Sequence, residues 1–309
     1  MAKVFRRESD MEKELEFAKV LQEVDPAQKF FLYPIAHCAT NVGEVRKDRD
    51  ATKCSYVQDA VQNSTHMLYM VTMVKGGSTV EDHVMKHRLT PAEFVAVITP
   101  VFEAVRKLSK HGYVHHDLKF DNMLYNDAHK KTHVIDFGLM QRMKTLFHPD
   151  NNRYIFSNYW LHPPEYRIAQ RLYDKPLYHP TKDDFRSDVE SIGETLDIYF
   201  DDSAPTTLRD LIIQQVFNNR ICEYEEEYIN YASSIWRAKG SKTRAMYKHA
   251  DKVDIYSIGI TIVYLSQFLE FPSNLARAEW MQKLKIFVHP DPRKRPGPTK
   301  AIKVLFAAV

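Results

Sequence analysis

His115-His116-Asp117-Leu118-Lys119-Phe120-Asp121-Asn122 is the stretch whose reading decides this chain, and Asp136-Phe137-Gly138 stands fourteen positions beyond Asn122. Together they set a carboxylate, an ammonium, an amide and a second carboxylate at short intervals. Moving a phosphoryl group needs such a set: a carboxylate beside the attacking hydroxyl, a cation on the transferred phosphate and oxygen ligands for Mg²⁺. Asp117, Lys119, and the pair Asn122 plus Asp136 match these needs in that order. Mg²⁺ prefers hard oxygen donors and keeps several waters, so one amide and one carboxylate suffice as protein ligands. Either tripeptide alone would recur by chance; the two at this spacing carry meaning.

Working outward, Thr90-Pro91-Ala92-Glu93 opens a helix that leads into this stretch. Threonine caps, proline suits the first helical position, and glutamate three residues on completes a capping box. The helix is expected to run to about Ser109, with Pro100 as a possible kink. Upstream, Met11, Leu15, Ala18 and Leu21 recur at helical spacing within residues 11–24. Phe30–Ile35 and Met67–Val74 read as strands, and residues 41–64 as polar loop. Downstream, 139–164 reads as irregular, 166–250 as mixed and polar with one helix at 223–236, Val253–Leu269 as strongly apolar, and 298–307 as a last helix. Strand signals precede helical ones, which suggests a small β-containing lobe followed by a larger helical lobe.

The pair HHDLKFDN and DFG resembles the catalytic and metal-binding loops of eukaryotic-type protein kinases. Other landmarks of that family fall in order. His162-Pro163-Pro164-Glu165 is similar to the end of the activation segment, and Asp254-Ile255-Tyr256-Ser257-Ile258-Gly259 to the start of the central buried helix. His289 to Pro296 (HPDPRKRP) is similar to the turn whose arginine, here Arg295, pairs with Glu165. Met70 to Gly77 is similar to the strand and hinge that hold adenine, which makes Val71, Thr72 and Met73 nucleotide contacts by resemblance. The resemblance implies an α+β, bilobal kinase-like fold, with a reduced N-lobe over 1–74 and a helical C-lobe over 75–309. It also implies ATP and Mg²⁺ (or Mn²⁺) as cofactors and a protein substrate. Asp117 and Lys119 become the catalytic residues, and Asn122 and Asp136 the metal ligands. Lys119 is a serine/threonine-kinase feature.

The chain departs from the pattern in places. No GxGxxG occurs in it. Ala2-Lys3-Val4-Phe5 resembles the end of the strand that carries the phosphate lysine. Lys3 is therefore the candidate, Glu14 its preferred partner and Glu16 the second choice, in a truncated N-lobe. His116 stands where arginine is common; that arginine docks a phosphorylated loop, so dependence on such phosphorylation is expected to be weak. Ser157-Asn158 occupies the neighbourhood where the family has a substrate-loop threonine. Asp254 follows Glu165 by 89 positions, so about 166–250 reads as an insertion and a possible partner surface. Asp188-Val189-Glu190-Ser191-Ile192-Gly193 mimics the Asp254 motif, but the apolar run behind Asp254 suits a buried helix better. The short lobe, proline-rich segment end and insertion together resemble kinases of large DNA viruses.

Two rival readings stand beside the enzyme. One is a pseudokinase scaffold, favoured by the missing glycine-rich loop and opposed by the complete catalytic quartet. The other is a small-molecule kinase, opposed by Lys119, Phe137 and the Glu165/Arg295 pair. His115 is expected to support Phe137 in the core rather than bind zinc, and Glu223–Tyr228 (EYEEEY) to be a solvated helix face. With 43 basic and 40 acidic residues, the net charge of +3 gives no footprint for nucleic acid or membrane. Three scattered cysteines without a CxxC, and a charged start, fit a reducing, intracellular (cytoplasmic) compartment, in a host cell or virion if viral.

Overall fold

Alternation along Met67–Thr72 divides the small N-terminal sheet into two apolar faces, and both are covered. The computed structural model describes residues 2–47, 51–63, 67–148, 161–174, 179–198, 211–217 and 220–307. Strands β1 (Ala2–Phe5), β2 (Ala36–Asn41) and β3 (Met67–Thr72) pair antiparallel in the order β1-β3-β2. Lys3 lies opposite Val71, and Cys38 opposite Met70. Helix α1 (Glu8–Val24) covers one face, where Met11 packs with Val71 and Met73 beside Phe5, Leu15 and Tyr69. Short helices α2 (Val42–Val45) and α3 (Ser55–Gln62) cover the other, packing Val42, Val45, Val57 and Ala60 on Leu68 and Val4. Three strands need such packing for stability, because an isolated small sheet is marginal in water.

Two expectations change here. Residues 41–64 are not simply loop, since α2 and α3 form within them. Phe30–Ile35 is not a strand; only Phe31 makes a bridge, to Val134, and the strand begins at Ala36. The Asp25 carboxylate accepts from the Phe30 and Phe31 amides at 2.6 and 3.1 Å, so this apolar run folds over the end of α1 instead of joining the sheet.

After β3 the chain turns through Gly77, whose φ of +112° and close approach to Tyr125 leave no room for a side chain: a Cβ would lie 2.0 Å from the Tyr125 carbonyl oxygen. It then forms β4 (Ser78–Thr79), α4 (Val80–His87) and α5 (Pro91–Lys110). The capping box expected at Thr90 and Glu93 is present, and α5 continues through Pro100 to Lys110. Strands β5 (Tyr113–Val114), β6 (Met123–Asn126), β7 (Lys131–Val134) and β8 (Gln141–Arg142) follow. β4, β6 and β7 make one small sheet, and β5 pairs with β8.

The remaining helices are α6 (Glu165–Asp174), α7 (Lys182–Ile198), α8 (Ile221–Trp236), α9 (Lys242–Tyr247), α10 (Val253–Leu265), α11 (Asn274–Leu284) and α12 (Pro298–Phe306). All of α10 except Tyr264 is buried, as befits a helix apolar all round. Gly259 lets it approach its neighbour, for a Cβ there would meet that of Phe287 at 2.7 Å. One apolar cluster runs from Ala18 on α1 to Leu305 on α12 and joins α1 to the helical lobe.

Residues 166–250 hold more helix than the sequence suggests, with α7 as well as α8. Asp188 ties α6, α7 and α8 together: Arg171 donates to both its carboxylate oxygens at 2.8 and 2.9 Å, and the Tyr228 hydroxyl donates at 2.9 Å. The EYEEEY face is not merely solvated. Tyr224 and Tyr228 are buried, and Glu223 and Glu227 pair with Lys285 and Lys294.

Candidate active site

The loop after β5 is gripped by the first turn of α10. Asp254 is buried there and accepts from the backbone N–H of His115 at 2.8 Å and of His116 at 2.9 Å. Burial pushes the Asp254 carboxyl up, and both amides and His115 oppose that rise. Further along α10, Ser257 donates to the Leu161 carbonyl at 3.0 Å and Thr261 to the Leu118 carbonyl at 3.1 Å. A polar residue within so apolar a helix was the sequence signal for these two supports. Asp188, the competing motif, is held by Arg171 and Tyr228 and does not reach this loop.

His115 lies under the site and packs edge-on to Phe137 with centroids 5.3 Å apart, as expected. Phe31 meets the same ring at 5.9 Å, a contact the sequence did not signal because Phe31 read as one of several strand residues. The Asp117 amide donates to His115 Nδ1 at 3.2 Å, so the ring proton belongs on Nε2, which faces the Ile135 carbonyl at 3.0 Å. His115 thereby spaces the two loops.

Those loops present the polar groups. Asn122 donates its side-chain amide to the Asp117 carbonyl and to Asp117 Oδ2, each at 2.8 Å. With its nitrogen committed, Asn122 has its amide oxygen to offer a cation. Lys119 is half-buried between Asp117 and Asn122, its N–H donating to the Asp117 carbonyl at 3.1 Å and its own carbonyl accepting from the Asn122 N–H at 3.0 Å. The Ile135 N–H donates to the Asn122 carbonyl at 3.0 Å, which joins the two loops just before Asp136. Asp136 itself has a φ of +63°, a left-handed conformation that few carboxylate residues adopt.

Across the cleft, the Lys3 ammonium donates to Glu14 Oε2 at 2.9 Å and to Asp136 Oδ1 at 2.7 Å. Of the two partners weighed from sequence, Glu14 rather than Glu16 therefore sits beside Lys3. Burial would lower the Lys3 pKa, but Glu14 and Asp136 outweigh it and hold the ammonium above its usual value. Burial likewise would raise Asp136, and Lys3 overrides it, holding that carboxyl below the usual range. Lys3, Glu14, Asp117, Asp136, Gly138 and Leu139 line one open cleft.

The hinge differs in detail from expectation. Val71 and Met73 turn their side chains into the packing against α1, and the Thr72 carbonyl accepts from the Ile35 N–H at 2.8 Å. The Val71 and Met73 side chains are therefore part of this packing. Ser157 and Asn158 lie outside the described residues.

The C-terminal pair is present. Arg295 donates from Nη1 and Nη2 to the two Glu165 oxygens at 2.7 and 2.8 Å, and from Nε to the His289 carbonyl at 2.7 Å. Its guanidinium lies over the Tyr256 ring, 4.7 Å from the centroid.

This architecture, with Asp117 and Asp136 lining one cleft with the Lys3–Glu14 pair, is protein-kinase-like in fold. A family model described as protein kinase domain matches residues 45–177, a span that holds Asp117 to Glu165. A probable serine/threonine-protein kinase, fnkB, of Dictyostelium discoideum is 25% identical over 108 residues, covering 31% of this chain and 20% of that protein. Serine/threonine-protein kinase 1 of Heliothis zea nuclear polyhedrosis virus is 25% identical over 167 residues, covering 48% of this chain and 62% of that protein. Over residues 45–177, then, the chain is similar to protein kinase domains. Its alignments span less than two thirds of either relative's length. Among the described residues, no helix is long and apolar enough to cross a membrane.

Proposed function

We propose that the chain transfers the γ-phosphoryl group of ATP to serine or threonine hydroxyls of protein substrates. The observation that carries this reading is the Lys3 ammonium, bonded at once to Glu14 (2.9 Å) and Asp136 (2.7 Å) over the cleft that Asp117 also lines. A lysine so placed sits where α- and β-phosphates would meet it, with a metal-type carboxylate beside it. Asp117 orients the acceptor hydroxyl and takes its proton, and Lys119 offsets charge on the transferred group. Asn122 and Asp136 would hold Mg²⁺; the donor set fits, being one amide oxygen and one part-exposed carboxylate, both hard ligands. When bound, that ion draws charge from the phosphate oxygens. Lys119, and the serine/threonine kinases among the relatives, support the hydroxyl class over tyrosine.

Asp117→Asn tests the reading, since it keeps the side chain's shape and removes its charge. Transfer from labelled ATP to a serine-rich acceptor falls by about 10²–10⁴, the usual loss on removing a general base, while nucleotide affinity stays within about twofold. Phosphotyrosine in the product would overturn the substrate class. Equal incorporation by the two proteins would mean a contaminating kinase. No transfer with any acceptor would move the function to the alternative, a pseudokinase scaffold.

A further inference from the structure

His116 departs from its neighbours in three ways: its φ is +72°, its side chain is 1% exposed, and its ring stacks face to face with two others. The His162 ring lies 4.4 Å away at 11° and the Tyr166 ring 5.4 Å away at 29°. His162 and Tyr166 are themselves stacked at 4.7 Å and 18°. Each ring thus touches the other two. Tyr166 continues the contact to Phe147 at 5.3 Å, and Phe147 to Tyr247 at 5.6 Å.

The stack joins two anchored points. On one side His116 directly precedes Asp117, and its N–H is held by Asp254 at 2.9 Å. On the other, Tyr166 directly follows Glu165, which Arg295 holds through two bonds of 2.7 and 2.8 Å. Asp254 fixes where the His116 amide sits, but it does not fix the torsions that follow. A left-handed residue without a glycine's freedom relaxes unless its side chain is also held. The rings provide that second hold.

Metal binding does not account for the pair of imidazoles. Lone pairs lie in the ring planes, and two rings within 11° of parallel cannot aim them at one shared ion. A buried cation does not account for it either. Burial and the neighbouring His115 push the His116 imidazole down to about 4, so the ring stacks as a neutral group at physiological pH.

We propose that His116 is a positioning residue for Asp117: by stacking on His162 and Tyr166 it locks the catalytic loop to the start of α6, with no phosphoryl group needed at that joint. The proposal rests on the kinase reading for its catalytic half. Misplacing a reacting group by about an ångström costs on the order of 10²-fold, which sets the scale of the expected effect.

The test uses the full chain with His116→Ala, His116→Phe, His162→Ala and the double alanine variant. In His116→Ala, kcat for a serine-rich acceptor falls by roughly 10-fold to 10²-fold while KM for ATP holds. His116→Phe, which keeps a flat ring, recovers most of the loss. The double variant is no worse than the worse single one, because the two residues act through one joint. Phosphatase treatment leaves the wild-type rate unchanged. A role confined to stability would lower Tm and leave kcat per folded molecule intact, and that result would overturn the proposal. So would a His116→Phe chain as slow as His116→Ala, or a rate lost on phosphatase treatment. Hydrogen exchange at the His115 and His116 amides reads the joint without catalysis: protection falls in His116→Ala and persists in His116→Phe. A wild-type chain that transfers nothing would sink the kinase reading and the catalytic half with it. The exchange result would still decide whether the rings hold the loop.

Discussion

Asp117 and Asn122 sit on a loop gripped by α10 and are only 8% and 5% exposed, whereas Lys3 and Asp136 meet across the cleft with side chains 31% and 40% exposed. The first pair is held by Asp254, Thr261 and His115, all buried. The second is held by one another, by Glu14, and by a strand of four residues. Buried hydrogen-bonded groups keep their geometry whatever the solvent; part-exposed ion pairs weaken with salt and reorganise readily. The Asp117–Asn122 pair is therefore a preformed frame. The Lys3–Asp136 contact is the adjustable one.

Removing Arg295 is the strongest way to break that frame. Arg295→Ala leaves Glu165 charged and buried, with no replacement for two bonds of 2.7 and 2.8 Å. Loss of one partner from such a pair costs about 3–5 kcal/mol, a large part of a typical domain's total stability. Urea unfolding reads the loss directly. Replacing both partners with apolar residues, Glu165→Leu with Arg295→Met, recovers much of it, since no buried charge is left alone. A single variant within about 1 kcal/mol of wild type would mean the frame does not depend on this pair.

A smaller, graded effect comes from acid. Burial pushes His289, in the Arg295 turn, down to about 4, and burial does the same to His116. Both are neutral when folded but take up a proton below about 6.5 when unfolded. The unfolded chain thus binds more protons between about 6.5 and 4. Stability is full above that window and falls as pH drops through it, by about 1.4 kcal/mol per pH unit for each proton. Asp291, held low by Arg293 against its own burial, adds a further loss at lower pH, while Asp254, raised by burial, works in the opposite sense. His289→Asn removes one titrating group and keeps an acceptor for the Asp291 N–H, which bonds His289 Nδ1 at 3.1 Å. Unfolding curves across this window should be flatter for that variant by up to one proton. An unchanged slope would show that His289 is not buried neutral.

What the sequence made legible follows from how local each signal is. The catalytic loop carries its groups within eight consecutive residues, and the Asp254 motif is followed by an apolar run that marks a central helix. Arg295 and Glu165 stand 130 positions apart, yet each lies in a proline-rich turn whose pattern resembles the family's. By contrast, among the described residues α2 and α3 bury Val42, Val45, Val57 and Ala60, pairs too short to establish a helical period. Helix α11 buries only its second half, at Trp280, Met281 and Leu284, while Leu275 is 70% exposed, so its pattern is weak. Helix α7 went unread in the sequence, although Phe185, Val189 and Ile192 recur at helical spacing among its charges. The ring stack had no local sign at all: His116 and His162 meet only once the fold brings them together.

Asp136→Ala has the smallest effect on stability and sharpens the comparison most. Its carboxylate is 40% exposed, and its main partner Lys3 keeps Glu14 at 2.9 Å when Asp136 is gone. Ion pairs of this exposure are worth about 0–1 kcal/mol, so Tm should hardly move. At a φ of +63° alanine is less at home than aspartate, which adds a small loss to that figure. Nucleotide binding is where the change should fall. If Asp136 and Asn122 are the metal ligands, wild-type affinity for ATP rises with Mg²⁺, and the variant loses that dependence while keeping the weaker, metal-free affinity set by Lys3 and the hinge. ATP titrations with and without Mg²⁺, on both proteins, distinguish the cases. Identical affinities with and without the ion in wild type would remove the metal role from Asp136. A variant that unfolds instead would show the Lys3–Asp136 contact to be as rigidly built as the frame beside it.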